Sequence, residues 1–105
     1  MPQFSVYRNP NPDAKSVTPY LLDVQSDLIA DLSTRVVVPL CLASAMKGKI
    51  IQTLTPVFEI DGKQYVLLIP QLAGISKKLM GAKVADLAHR RGEIVAALDL
   101  LITGI

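Results

Sequence analysis

The sequence predicts a mainly-β domain of the α+β class that ends in one helix. Three observations carry this. Short β-rich runs alternate with breaks rich in Pro, Asn and Asp; an Asp61-Gly62 pair sits between two strand-like runs; and the spacing of apolar residues becomes helical after Gly81. A chain of 105 residues fits one domain spanning 1–105. A domain of this size buries about two-thirds of its unfolded surface, enough for a real core.

Each element follows from local chemistry. In "QFSVY" (3–7), Phe4 and Val6 alternate with Gln3, Ser5 and Tyr7, which predicts a strand with one buried face. "RNPNPDAKS" breaks that pattern with turn-forming residues. "YLLDVQ" (20–25) reads as a second strand. "TRVVVPL" (34–40) reads as a third, buried on both faces because its β-branched run does not alternate. "PVFEIDGKQYVLLI" is a hairpin, since Asp-Gly supplies the positive φ that a tight two-residue turn requires. Pro70 ends its second arm, and "LAGI" adds a short strand. In "KVADLAHRRGEIVAALDLLITGI", Leu87, Ile94, Val95, Leu98, Leu101 and Ile102 form one helical stripe to pack on the sheet, and Asp86 serves its N-terminus. A second stripe, Gly92, Ala96, Asp99 and Thr103, holds only small or short polar residues. It is either a face that another backbone approaches, or Ala96 is there simply as a good helix former and Gly92 is a mild defect.

Composition narrows the function classes. Half the residues are hydrophobic and 19% are charged, an apolar excess that points to a subunit interface. No apolar stretch reaches the roughly 20 residues of a membrane span, and the first residues are too polar for a signal peptide, so a cytoplasmic protein is expected. The lone Cys41 makes no internal disulfide and reads as a small buried hydrophobe. A net charge of +2 is too small to argue for nucleic-acid binding by itself. No catalytic constellation is visible. His89, the one histidine, stands beside Arg90 and Arg91 in a solvated or capping position. Ser26 and Ser33 have no orienting histidine, Asp23 and Asp27 suit turn capping better than a metal, and the six glycines are too scattered to cradle phosphate. Neither a cofactor nor a metal is expected, and a domain of this kind binds more often than it catalyses.

Five separated blocks carry a resemblance that composition does not. "QF-VY" at the start, "DVQSDLI" (23–29), "R-VVPL" ending at Leu40, "VADL-HR" (84–90) and the terminal "GI" fall in the order and spacing of the CcdB family of plasmid and chromosomal toxins. The resemblance implies an SH3-like barrel or antiparallel sheet with a small accessory sheet and one C-terminal α-helix. It also implies a homodimer that binds the A subunit of DNA gyrase and traps the enzyme with its DNA cleaved, itself neutralised by a CcdA-like antitoxin.

The family pattern places Thr103, Gly104 and Ile105 of both subunits side by side at the gyrase face, with Gln3, Phe4, Tyr7, Ser26, Leu28, Ile29 and Asp99 around them. In that setting Gly104 allows close approach of the backbone and Ile105 is an apolar knob. Where the best-known plasmid member has tryptophan and asparagine, this chain has Thr103 and Asp99. Arg8, Lys15, Lys47 and Lys49 are the candidate contacts for an acidic antitoxin segment. Two alternatives stand beside this reading. One is a homologue that keeps its antitoxin but does not harm gyrase. The other is an endoribonuclease of the MazF and Kid barrel type, for which Arg35 near Thr34 is the candidate phosphate-stabilising group.

Overall fold

A computed structural model describes residues 2–11, 17–29, 32–45 and 56–104. Strands β1 (Ser5–Arg8), β2 (Tyr20–Asp23), β3 (Thr34–Leu42), β4 (Val57–Ile60), β5 (Lys63–Leu67), β6 (Ala73–Ser76) and β7 (Lys83–Asp86) precede a helix, α1 (Arg91–Thr103). All pairings are antiparallel, in the order β4-β5-β3-β2-β1-β7, with β6 joined to β3 beside that path. The sheet curls into a half-barrel, so the fold is the mainly-β, SH3-like α+β architecture that the sequence implies.

The long strand β3 organises the sheet. One of its edges carries β2, from Asp23↔Val37 to Tyr20↔Leu40. The other edge is divided between β6, opposite Thr34 to Val37, and β5, opposite Leu40 to Leu42. Pro39 lies at the changeover: its carbonyl accepts a hydrogen bond from Leu68 N at 3.0 Å, and it has no N–H to offer a continuous partner strand. The expected accessory sheet therefore takes the form of β6 laid along the first half of β3, within one hydrogen-bonded sheet.

The β4-β5 hairpin turns on Asp61 (φ 52°) and Gly62 (φ 80°), with Ile60 opposite Lys63. Two successive positive φ values give the strands the twist they need, as the Asp-Gly pair predicts. Behind the sheet the core comprises Val6, Leu22, Val38, Leu40, Phe58, Leu67 and Ile69, with Ile94 and Ala97 supplied by the helix. The rings of Tyr20 and Tyr65 meet edge to face at 5.1 Å.

Three expectations are corrected. Ser5 and Tyr7 do not face solvent: β1 lies between β2 and β7 and is buried on both faces, while Phe4 precedes the strand with φ 68°. An alternating pattern of five residues does not distinguish a half-exposed strand from an interior one. The helical region also begins later than its apolar spacing suggests. Val84 and Ala85 belong to β7, paired with β1, and His89 lies exposed in a 3-10 turn, Ala88–Arg90. Asp86 caps that turn, accepting from Ala88 N at 2.8 Å, rather than the α-helix itself. Arg90 holds Glu93 through a two-point ion pair (2.6 and 2.7 Å) and lies 4.6 Å from the Phe58 ring centre, which ties the helix start to β4.

The helical stripe is shorter than predicted as well. Ile94 and Ala97 are fully buried, and Val95 and Leu98 pack against the core, but Leu101 is partly exposed and Ile102 is 74% exposed. A helix of 13 residues is about 20 Å long, and its last turn runs past the core it covers. Ile94→Ala should therefore cost about 2–4 kcal/mol in urea unfolding. The same truncation at Ile102 should stay within about 0.5 kcal/mol.

Candidate partner-binding site

The site begins where β2 leaves β3. Val24 N still donates to Val36 O at 3.0 Å, but the reciprocal bond is not made. Val36 N donates instead to Gln25 Oε1 at 3.1 Å, and Val24 O accepts from Gln3 Nε2 at 3.0 Å. Two side-chain amides thus replace one lost ladder bond and leave no backbone group there unpaired. The chain is freed to turn outward.

Beneath this branch point lies a buried ion pair. Arg35 Nε donates to Asp23 Oδ2 at 2.7 Å, and both side chains are fully shielded from water. The pair also fixes the turn: Asp23 Oδ1 accepts from Gln25 N at 3.0 Å, and Arg35 Nη2 donates to Gln25 O at 3.3 Å. Buried charges are tolerated only when paired and hydrogen-bonded in this manner. Asp27, at the rim, stands 3.9 Å from Arg35 Nη2 and accepts from Gln3 N at 2.8 Å. The carboxylates of "DVQSD" therefore serve as turn fasteners, in line with their spacing.

What this framework presents is apolar. The 3-10 turn Asp27–Ile29 buries none of its residues; Leu28 is 96% exposed and Ile29 50%. Ser26 Oγ accepts from Leu28 N at 3.2 Å, and Gln25 Nε2 donates to Ile29 O at 2.9 Å. A large aliphatic side chain so fully in water is the kind of group that marks a contact surface when it has neighbours of its type. Phe4 and Tyr7, expected around the same surface, are buried, at 3% and 7% exposure. The positive φ of Phe4 turns the chain so that Gln3 reaches the rim while Phe4 N donates to Asp23 O at 2.6 Å. Strain of this kind costs on the order of 1–3 kcal/mol and persists where its surroundings enforce it.

A second exposed group ends the helix. Asp99 and Thr103 share the solvent face with Gly92 and Ala96, and Thr103 Oγ1 donates to Asp99 O at 2.6 Å. Gly104 adopts φ 72° and donates its N–H to Leu100 O, the left-handed ending that glycine favours. Its presence is thus explained by the helix end itself, independently of any approaching partner. Ile105 lies outside the described residues, as do Lys15, Lys47 and Lys49; Arg8 is exposed. Among the described residues no hydrogen bond or ion pair joins the helix end to the turn with Leu28.

A family model described as CcdB protein matches residues 3–104. The chain belongs to the CcdB family. Toxins of this family belong to toxin–antitoxin pairs and act on DNA gyrase as poisons, not as enzymes. The structure also removes the basis of the ribonuclease alternative. Arg35 is buried against Asp23 and does not face solvent, so it does not present a guanidinium to an RNA phosphate. Cys41 is buried, and that burial pushes its thiol above the ordinary value, partly offset by a hydrogen bond from Thr18. It is a packing residue with little thiolate at neutral pH.

Gln25 is the residue that sequence reasoning missed. Its signal was present: Asp23 and Gln25 are two apart, on one side of an extended chain, within a strand otherwise apolar. Loss of one partner from the buried pair, by Asp23→Asn or Arg35→Met, should destabilise the fold by about 3–5 kcal/mol, because it strands the other charge. The Asp23→Leu/Arg35→Met double variant should lose less than the sum of the Asp23→Leu and Arg35→Met single variants in a denaturant double-mutant cycle.

Proposed function

We propose that this chain is the toxin of a type II toxin–antitoxin pair: a cytoplasmic homodimer that binds the A subunit of DNA gyrase and traps the cleaved gyrase–DNA complex. The observation that carries this reading is Leu28, an almost fully exposed aliphatic side chain held on a turn by buried polar contacts. A protein tolerates such a group more readily where a partner covers it. Ser26, Leu28, Ile29 and Gln3 form one part of the surface, and Asp99, Thr103, Gly104 and Ile105 form the other. Dimerisation combines the two, since the helix ends of both protomers come together on the family pattern. Phe4 and Tyr7, being buried, act by supporting the surface. Asp99 offers a carboxylate to a basic side chain of gyrase, in place of the amide of the best-known member.

No chemistry by the toxin is required. Tighter binding to the cleaved or open conformation of gyrase than to the resting one shifts the population toward the cleaved complex. Neutralisation follows from a CcdA-like antitoxin whose disordered acidic segment folds along the dimer, meeting Arg8 and, by the same charge argument, Lys15, Lys47 and Lys49.

Purified gyrase, plasmid and ATP test this directly. Intact protein should accumulate linear DNA, while Leu28→Asp and a version lacking Ile105 should each lower cleavage at least tenfold. Absence of cleavage by folded, intact protein, with gyrase from a plausible host, would overturn the reading in favour of a homologue that binds only its antitoxin.

A further inference from the structure

We propose that Gln25 is a positioning residue for the partner surface: its buried side-chain amide pre-sets the turn that carries Leu28. The assignment of that turn to gyrase rests on the function proposed above; the positioning itself rests on geometry. A three-residue 3-10 turn has too few internal bonds to hold its own shape, and this one buries no side chain of its own. Its shape must come from what it is fastened to. From inside, that fastener is Gln25, which is 4% exposed and engaged at both ends of its amide. Oε1 accepts from Val36 N in β3, and Nε2 donates to Ile29 O at the end of the turn.

The main chain of Gln25 is fixed equally well, by Asp23 Oδ1 on its N–H and Arg35 Nη2 on its carbonyl. The side chain is therefore a strut of defined length between the sheet and the turn, with its base anchored by the buried ion pair. None of these contacts reaches a partner. Their consequence is that the ordering of Leu28 and Ile29 is complete before binding, which lowers the entropic cost of association.

The amide is needed for its two opposite functions. Gln25→Glu keeps an acceptor for Val36 N but sets a carboxylate oxygen against Ile29 O, so it removes the strut at the turn alone. Gln25→Met keeps the length and removes both bonds.

The test combines affinity for purified gyrase A subunit with backbone ¹⁵N order parameters, at a temperature where each variant is fully folded. In both variants the order parameters of Leu28 and Ile29 should drop from about 0.85 to below about 0.6, with those of β2 and β3 unchanged. Affinity should fall at least tenfold. In a Leu28→Ala background the same Gln25 change should cost less than twofold, because there is no longer a knob to position; a role confined to stability would give no such coupling. Unchanged order parameters overturn the proposal whatever happens with gyrase. An unchanged affinity of folded Gln25→Glu, when wild type binds and Leu28→Asp does not, overturns it as well. Loosened order at Leu28 and Ile29 together with a wild type that does not bind gyrase would uphold the positioning and refute the choice of partner.

Discussion

The buried pair of Asp23 and Arg35 is the constraint around which the distinctive part of this fold is arranged. It sits where β2 and β3 cease to be a regular ladder, and it makes that departure possible. A guanidinium and a carboxylate removed from water need each other and further hydrogen bonds. Gln25 supplies two of them from its main chain, so the charges satisfy each other only when the following turn is in place. The pair thus couples the stability of the sheet to the shape of a surface feature. Hydrophobic contacts, being non-directional, do not specify a turn geometry in this way.

The same logic explains the use of two glutamines at the branch point. When an antiparallel strand leaves its neighbour, one N–H and one C=O lose their partners, and their burial without replacement is costly. Gln25 and Gln3 replace them, one from the departing chain itself and the other from the N-terminal segment. Gln3 comes from the N-terminal segment and is fixed in turn by Asp27, so the first residues of the chain are drawn into the rim. The unusual φ of Phe4 follows from this: the chain must pass sharply from a rim position to a core position in one residue.

The helix resolves a different conflict. Its first turns are committed to the core through Ile94 and Ala97 and to β4 through Arg90, whereas its last turn extends into solvent with Ile102 and Leu101 uncovered. The left-handed Gly104 stops the helix by satisfying a carbonyl that would otherwise be left open. An apolar helix end with a defined stop is the kind of projection that the proposed function uses as a place for a partner.

Much of this was legible in the chain itself. Asp61-Gly62 dictates its hairpin because only a short list of residues accepts two positive φ values in succession. The β-branched run 34–40 announces an interior strand. These features are local: the determining atoms lie within a few residues of one another. The five sequence blocks also sufficed to identify the family. What tertiary structure alone decided was where local patterns were ambiguous or where partners are distant in sequence. Ser5 and Tyr7 are buried because β1 acquires β2 on one side and β7, nearly eighty residues later, on the other. Val84 and Ala85 became strand for the same reason. Arg35, readable as a phosphate ligand, is instead the partner of a carboxylate twelve residues before it, and Gln25 became a strut only once β3 lay beside it. Sequence determines which groups must be satisfied; the fold determines by whom, because hydrogen bonds and ion pairs depend on directions and distances that only the packed chain defines.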